Sequence, residues 1–299
     1  MRIASFNLQN LRLRGGSRLD GARDSDTGET ADPALDRMDR KLTAQVIGDM
    51  KADVLALQEV FDRATLDHFH DNFLLPAGVR AYPWRHCSHG NDGRGLDIAL
   101  LSRIAPLEVT GHAGLRAADI DLRGDPEKPV FRRDCLRVEF AGVTLFLCHF
   151  KAPYPDPASA WAARRLEARA VRRLVERRFT DPASATWLIA GDLNEPWEPD
   201  GNPASAPLLA PFAVDLMARI KEQDRWSFYD RWSDRYAMPD AFLASPALAR
   251  AFPKAMPEIH REGLERAARR HAGVHLPSVG RNRPHASDHA GVVVEFAGL

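Results

Sequence analysis

Cysteine is scarce: Cys87, Cys135 and Cys148 are the only three in 299 residues. Three thiols cannot all pair, and no Cys-x-x-Cys occurs, so neither a thiolate zinc site nor a redox pair is suggested. Cys148 lies inside an apolar run and reads as a small buried hydrophobe; a reducing interior is the mild preference. No apolar run approaches the ~20 residues that span a bilayer. Excess charge is missing as well, since 41 Lys plus Arg balance 41 Asp plus Glu. That balance argues against a protein that coats nucleic acid by bulk charge, while leaving room for a local basic groove. No repeat of fixed period and no dividing linker is visible. The stretch Arg12 to Arg14 with Gly15 and Gly16 lacks the Gly-Lys-Ser/Thr ending of a phosphate-binding loop.

What the chain does hold is polar residues at the ends of apolar strands. Trp187 to Ala190 reads as a buried strand, broken by Gly191 and followed at once by Asp192 and Asn194. Four segments repeat the form: Ile3 to Asn7, Val54 to Gln58 and Glu59, Thr144 to His149 with Phe150 and Lys151 behind it, and Asp288 and His289 before the strand from Gly291 to Phe296. A sixth places Asp240 at the start of a strand running to Ser245. Each end alone is ordinary turn chemistry. Three Asp, one Glu, two Asn and two His in that position, spread over the whole length, point instead to one site. A hydrophobic content of 44% is enough for a sizeable core, and residues 1–299 read as one domain.

The coarse layout is mixed α/β. Strand 2–6 leads into a polar loop over 12–32, a helix over 33–51, strand 53–58 and a short helix over 64–73. Strands follow near 80–86, 96–102 and 106–115, then a loop over 116–133. A hairpin (135–140 and 143–149) turns at Ala141-Gly142. The spacing of Leu166, Ala170 and Leu174, with Val171 and Val175 beside them, predicts a helix over 157–179. Its seven arginines (Arg164, Arg165, Arg169, Arg172, Arg173, Arg177, Arg178) read as the solvated face of a crossover helix. After strand 186–190 a proline-rich stretch (Pro196 to Pro211) reads as irregular, and a basic helix is expected over 257–272.

The pieces Phe6-Asn7, Leu57-Gln58-Glu59-Val60, Asp97 to Ser102, His149-Phe150-Lys151, Gly191-Asp192-Leu193-Asn194, Asp240 to Ser245 and Ser287-Asp288-His289 resemble, in order, those of the endonuclease/exonuclease/phosphatase superfamily. The resemblance covers nearly the full chain and implies a DNase I-like four-layer α/β sandwich, two facing mixed sheets with helices outside. It also implies a metal-dependent phosphoesterase. The abasic-site branch carries another residue where this chain has His149, which argues against abasic-site specificity.

The residues carry the same chemistry. Hard oxygen donors suit Mg²⁺ or Mn²⁺, held by one or two carboxylates: Glu59 first, Asp288 second, with Asn7 completing or orienting the shell. Asp192 is the candidate general base and Asn194 the phosphate-oxygen contact. His289 is the candidate acid or electrophile, with Asp240 fixing its tautomer. His149 is a candidate second imidazole, with Asp97 as its possible partner. Lys151, Arg132 and Arg133 are candidates for substrate phosphate, and His86 and His89 flank a loop that offers a weaker metal site. Loops 12–34, 87–95, 116–133 and 197–211, with Trp84, Tyr154, Trp161 and Trp197, would select the substrate. A nuclease or related phosphodiesterase is the leading expectation. A phosphomonoesterase, a phospholipid phosphodiesterase on the same core, or a silent binding protein are the alternatives. The partner is then nucleic acid or another phosphodiester. The chain opens directly into its first strand, leaving no room for a leader. A monomer in the cytoplasm is the expectation, with secretion after leader removal left open.

Overall fold

The computed structural model describes residues 1–23, 31–195 and 201–299. Its frame is two six-stranded mixed sheets. The first runs, edge to edge, Glu258–His260, Gly291–Glu295, Arg2–Leu11, Val54–Val60, Asp97–Ser102 and Trp84–Cys87. The second runs Val214–Asp215, Asp240–Ala244, Trp187–Asp192, Val143–His149, Cys135–Phe140 and Glu108–Thr110.

Alternation along the strands explains the layering. In Val54–Val60, Val54 and Ala56 face the second sheet, whereas Leu55 and Leu57 face outward. In Val143–His149, Leu145 and Leu147 face the first sheet and Phe146 and Cys148 face outward. Both faces of both sheets are therefore apolar, and each outer face must be covered. Helix α1 (Pro33–Met50) covers the first with Leu42, Val46, Ile47 and Met50, aided by α2 (Arg63–Phe69). Helix α3 (Pro157–Arg178) covers the second with Ala168, Ala170, Val171 and Val175. The result is the four-layer α/β sandwich.

The helix starts are written locally. Asp32 accepts from the N–H groups of Ala34 and Leu35 with Pro33 at the first helical position. Asp156 and Pro157 do the same for α3, and each such cap stabilises its helix by about 1 kcal/mol. Arg177 and Arg178 lie in the last turn of α3, where cations meet the negative end of the dipole.

Several expectations are corrected. The first strand runs on to Leu11, the strand expected near 80–86 forms only over Trp84–Cys87, and that near 106–115 only over Glu108–Thr110. The loop at 12–32 contains a small hairpin, Leu13–Arg14 with Arg18–Leu19. No helix forms over 257–272: Glu258–His260 pairs as an edge strand and the rest is held by turns. Its basic residues serve loop bonds instead, as where Arg266 Nε donates to the Val279 carbonyl. Arg164 is not on a solvated face but fully buried, donating to the Lys151 carbonyl at 3.1 Å. Pro196 and Trp197 lie outside the described residues. No helix among the described residues is long and apolar enough to cross a membrane.

Candidate active site

The same alternation that builds the core aims the polar strand ends. His149 continues the inward parity of Leu145 and Leu147, Asp192 that of Leu188 and Ala190, and Asp240 that of Phe242 and Ala244. Register then sets the three in a row, because His149 pairs with Asp192 and Asp192 with Asp240. Gly191 permits this: its φ is 139°, and a Cβ there would meet the Cys148 carbonyl oxygen at 1.9 Å.

On the facing sheet, Asn7 points inward with the parity of Ile3. Glu59 is turned by a bulge. Gln58 pairs with Ile98 and Val60 with Asp97, so Glu59 is the extra residue, at φ 63°. A bulge re-aims a side chain that strict alternation would send to the other face. Gln9, Asn10 and Asn194 also have positive φ, at 46°, 59° and 51°. Backbone strain gathered at one place marks a site whose geometry is over-determined by its surroundings.

Asn7, Glu59, His149, Asp192, Asn194, Asp288 and His289 line a cavity of about 930 Å³ together with Asp92, Arg94, Arg132, Arg133, Lys151 and Tyr154. Asn7 Nδ2 donates to Asp192 Oδ2 at 3.1 Å and stands 3.3 Å from Glu59 Oε1. The Asn194 N–H donates to Asp192 Oδ1 at 2.8 Å. The Nε2 atoms of His149 and His289 stand 3.6 and 3.7 Å from Asp192 Oδ2. Behind His289, its Nδ1 lies 2.9 Å from Asp240 Oδ2, which also accepts from the Ser227 hydroxyl. Asp240 is thus behind the wall rather than on it. Within the first sheet's side of the cavity, the Ser287 hydroxyl donates to the Asn7 carbonyl at 2.7 Å.

The two imidazoles differ electrostatically. Burial works against charge on His289, but Asp240, Asp192 and Asp288 outweigh it and hold its pKa well above the ordinary value. Burial pushes His149 well below, and Arg133 and the charged His289 add to this. The surroundings thus favour charge on His289 and disfavour it on His149. Burial also raises the Asp192 carboxyl, against the pull of His289. Glu59 is raised by burial and then by the charge of Asp288, and both residues are half-buried on the cavity wall. Two repelling hard-oxygen donors beside an amide fit a Mg²⁺-type ion. Among the described residues no group of three or more His, Cys, Asp or Glu is placed to hold a metal.

Asp97 does not serve His149. It accepts from the Gly90 N–H at 2.8 Å, while His149 Nδ1 has no hydrogen-bond partner among the described residues. Asp97 sits opposite Val60 on the fifth strand of the other sheet, where the loop 87–95 takes its carboxylate. His89 is fully exposed and stands 3.8 Å from Asp97, so it forms no metal cluster. Lys151 and Arg133 do line the cavity. Lys151 Nζ donates to the carbonyls of Ala152 and Tyr154, and Arg133 Nη1 to that of Phe150 at 2.9 Å. Loop 12–34 and residues 201–211 do not reach the cavity among the described residues, nor do Trp84 and Trp161. Unanticipated are Phe228, with its ring centroid 4.8 Å from that of His289, and the hairpin residues Asp230, Ser233 and Arg235. Their segment has no strand-end signature.

The sequence model described as Endonuclease/Exonuclease/phosphatase family matches residues 4–289. Among curated proteins none matches. Among solved structures, an AP endonuclease from Archaeoglobus fulgidus superposes with a TM-score of 0.60 at 17% identity, covering 99% of each chain. The 3' phosphatase NExo from Neisseria, bound to a product DNA hairpin, gives 0.58 at 16% identity over 99% of each chain. A humanized TDP2 from D. rerio gives 0.57 at 16% identity, covering 98% of this chain and 97% of that one. At such identities the likeness establishes the DNase I-like fold.

Proposed function

We propose, for a chain that belongs to the endonuclease/exonuclease/phosphatase family, that residues 1–299 form a divalent-metal-dependent hydrolase acting first on phosphodiester bonds of nucleic acid. The observation that carries the reading is the setting of Asp192. Its carboxylate is bonded by Asn7 and the Asn194 N–H, flanked by two imidazoles, and shares a cavity with Glu59 and Asp288.

Glu59 and Asp288, with Asn7, would hold Mg²⁺ or Mn²⁺, which when bound supplies Lewis acidity at the phosphate and stabilises the leaving oxygen. Asp192 orients the attacking water and takes its proton. Burial raises its pKa, which makes it a better base than an exposed carboxylate. Asn7 and Asn194 fix its two oxygens, so its free lone pair is aimed. His289, charged and locked by Asp240 at Nδ1, presents Nε2–H to a non-bridging phosphate oxygen. His149 stays neutral beside it, which avoids two like charges at one oxygen. Asn194 uses one amide hydrogen on the Phe150 carbonyl at 3.0 Å and keeps another for phosphate. Arg133 and Lys151 hold the phosphate from the other wall.

The test is incubation of purified protein with plasmid DNA, RNA, a chromogenic phosphodiester and a phosphomonoester, each with Mg²⁺ or EDTA. Hydrolysis of a diester, arrested by EDTA, is expected. Faster cleavage of the monoester would make the protein a phosphatase. Cleavage of none of the four, even with Mn²⁺, would sink the reading.

A further inference from the structure

A group of buried charges outside the cavity lies under the first sheet. Arg40 of α1 is completely buried and spends its guanidinium on four backbone carbonyls. Nη1 donates to Leu8 at 2.6 Å, Nη2 to Gln9 at 2.8 Å and Gly21 at 2.7 Å, and Nε to Asp20 at 2.7 Å. Asp39, the residue before it, accepts from the N–H of Ala22 at 2.9 Å, from the N–H of His285 at 3.0 Å and from Arg283. One turn on, the Thr43 hydroxyl donates to the Ala286 carbonyl at 2.6 Å.

These bonds fall at particular places. Leu8 and Gln9 directly follow Asn7, at the start of the segment with positive φ. His285 and Ala286 lie just before Asp288. The two segments then meet each other. The Gln9 N–H donates to Asn7 Oδ1 at 3.0 Å, and Gln9 Oε1 accepts from the Asp288 N–H at 3.1 Å. Asn10 N–H in turn donates to Glu59 Oε2 at 2.9 Å. A single helical turn of α1 therefore holds two of the three stretches of chain that carry the candidate metal donors, those of Asn7 and Asp288, and the third, Glu59, is reached through Asn10.

Burying a guanidinium is unfavourable unless all its donors are used, and an apolar residue would pack helix on sheet without that cost. Its bonds to carbonyls of a strained segment serve geometry rather than packing. Gly21 belongs to the same device, because a Cβ there would meet Arg283 Nη2 at 2.3 Å and Asp36 Oδ1 at 2.4 Å.

We propose that Arg40, with Asp39 and Thr43, is a positioning residue for the divalent cation: it sets Asn7, Gln9 and Asp288 in the relative places at which a cation is held. This rests on the assignment of Glu59 and Asp288 as donors made above.

The experiment is titration of metal-free full-length protein with Mn²⁺, followed by electron paramagnetic resonance, on the parent, E59Q, R40M, R40K and T43V. Circular dichroism and thermal melts run alongside. Supporting residues behind metal ligands change affinity by roughly 10- to 100-fold, so R40M is expected to weaken Mn²⁺ binding by about ten-fold. R40K, keeping the charge but fewer of the bonds, should fall between R40M and the parent. T43V, which removes one hydrogen bond, should bind Mn²⁺ about two- to three-fold more weakly. In a chromogenic diester assay R40M should need more metal but approach the parent turnover at saturation. Folded R40M with parental Mn²⁺ affinity overturns the proposal. If R40M does not fold, parental affinity in both R40K and T43V overturns it. If E59Q and the parent bind Mn²⁺ equally, the donor assignment itself fails, and that outcome is distinct from the other two.

Discussion

The cavity has two unlike walls. One is made of strand ends: Asn7, Glu59, His149, Asp192 and the segment Asp288-His289. Each of these lies in, or just before, a strand paired on both sides, so backbone ladders fix its place before any side-chain bond is counted. The other wall comes from irregular segments: Asp92 to Arg94, Arg132 and Arg133, Lys151 to Pro155, and the hairpin Phe228–Asp230 with Arg235–Ala237. Its side chains bond mostly to nearby loop carbonyls and to Asp92. The contrast assigns chemistry to the rigid wall and choice of substrate to the loops.

If the division is right, substitutions on the two walls must separate in kind. The largest effect belongs to Asp192→Ala, which should lower kcat for a chromogenic diester by on the order of 10³-fold while Mn²⁺ still binds. Near-parental turnover would remove Asp192 from the base role. Next comes Asp240→Asn, which leaves the wall itself untouched but weakens the hold on His289. A drop in kcat of about 10²-fold with little change in KM is expected, and an effect confined to KM would say that His289 only binds. Glu59→Gln should raise the metal concentration for half-maximal rate by about ten-fold. An unchanged titration would move the donor set elsewhere. The smallest effect belongs to the loop wall. Arg132→Ala and Lys151→Ala should each raise KM for an oligonucleotide by roughly three- to ten-fold, with kcat kept. The slope of log KM on log salt should shrink by about one for each cation withdrawn from a phosphate. A kcat collapse in either would erase the distinction between the walls.

The same contrast explains what was legible in the sequence. Apolar runs ending in Asn7, His149 or Asp192 announce both a strand and the face its last residue will take, since alternation carries the parity of the core to the end of the strand. Asp240 could be tied to His289 through the family resemblance, which holds such an Asp–His pair and matches Asp240 by the apolar run to Ser245. Glu59 was legible as a residue but not in its direction, which depends on a bulge invisible to period counting. The loop wall was only partly readable. Arg133 and Lys151 stand next to strand ends, but Phe228 and Arg235 lie in a short hairpin with no apolar period. The pairing of Asp97 with His149 failed because both border strands of similar form, and sequence does not say that the Gly90 N–H takes the Asp97 carboxylate. The buried Arg40 and Arg164 were likewise masked by helices whose other arginines and lysines are exposed or half-buried.

The most direct test of the converging strand ends is a crystal of the Asp192→Asn protein grown with Mn²⁺ and a short phosphodiester oligonucleotide, with anomalous data collected for manganese. The account predicts a manganese peak against Glu59 and Asp288, with a phosphate between it and His289. A manganese peak on His149 or outside the cavity, with the phosphate away from residue 192, would contradict it.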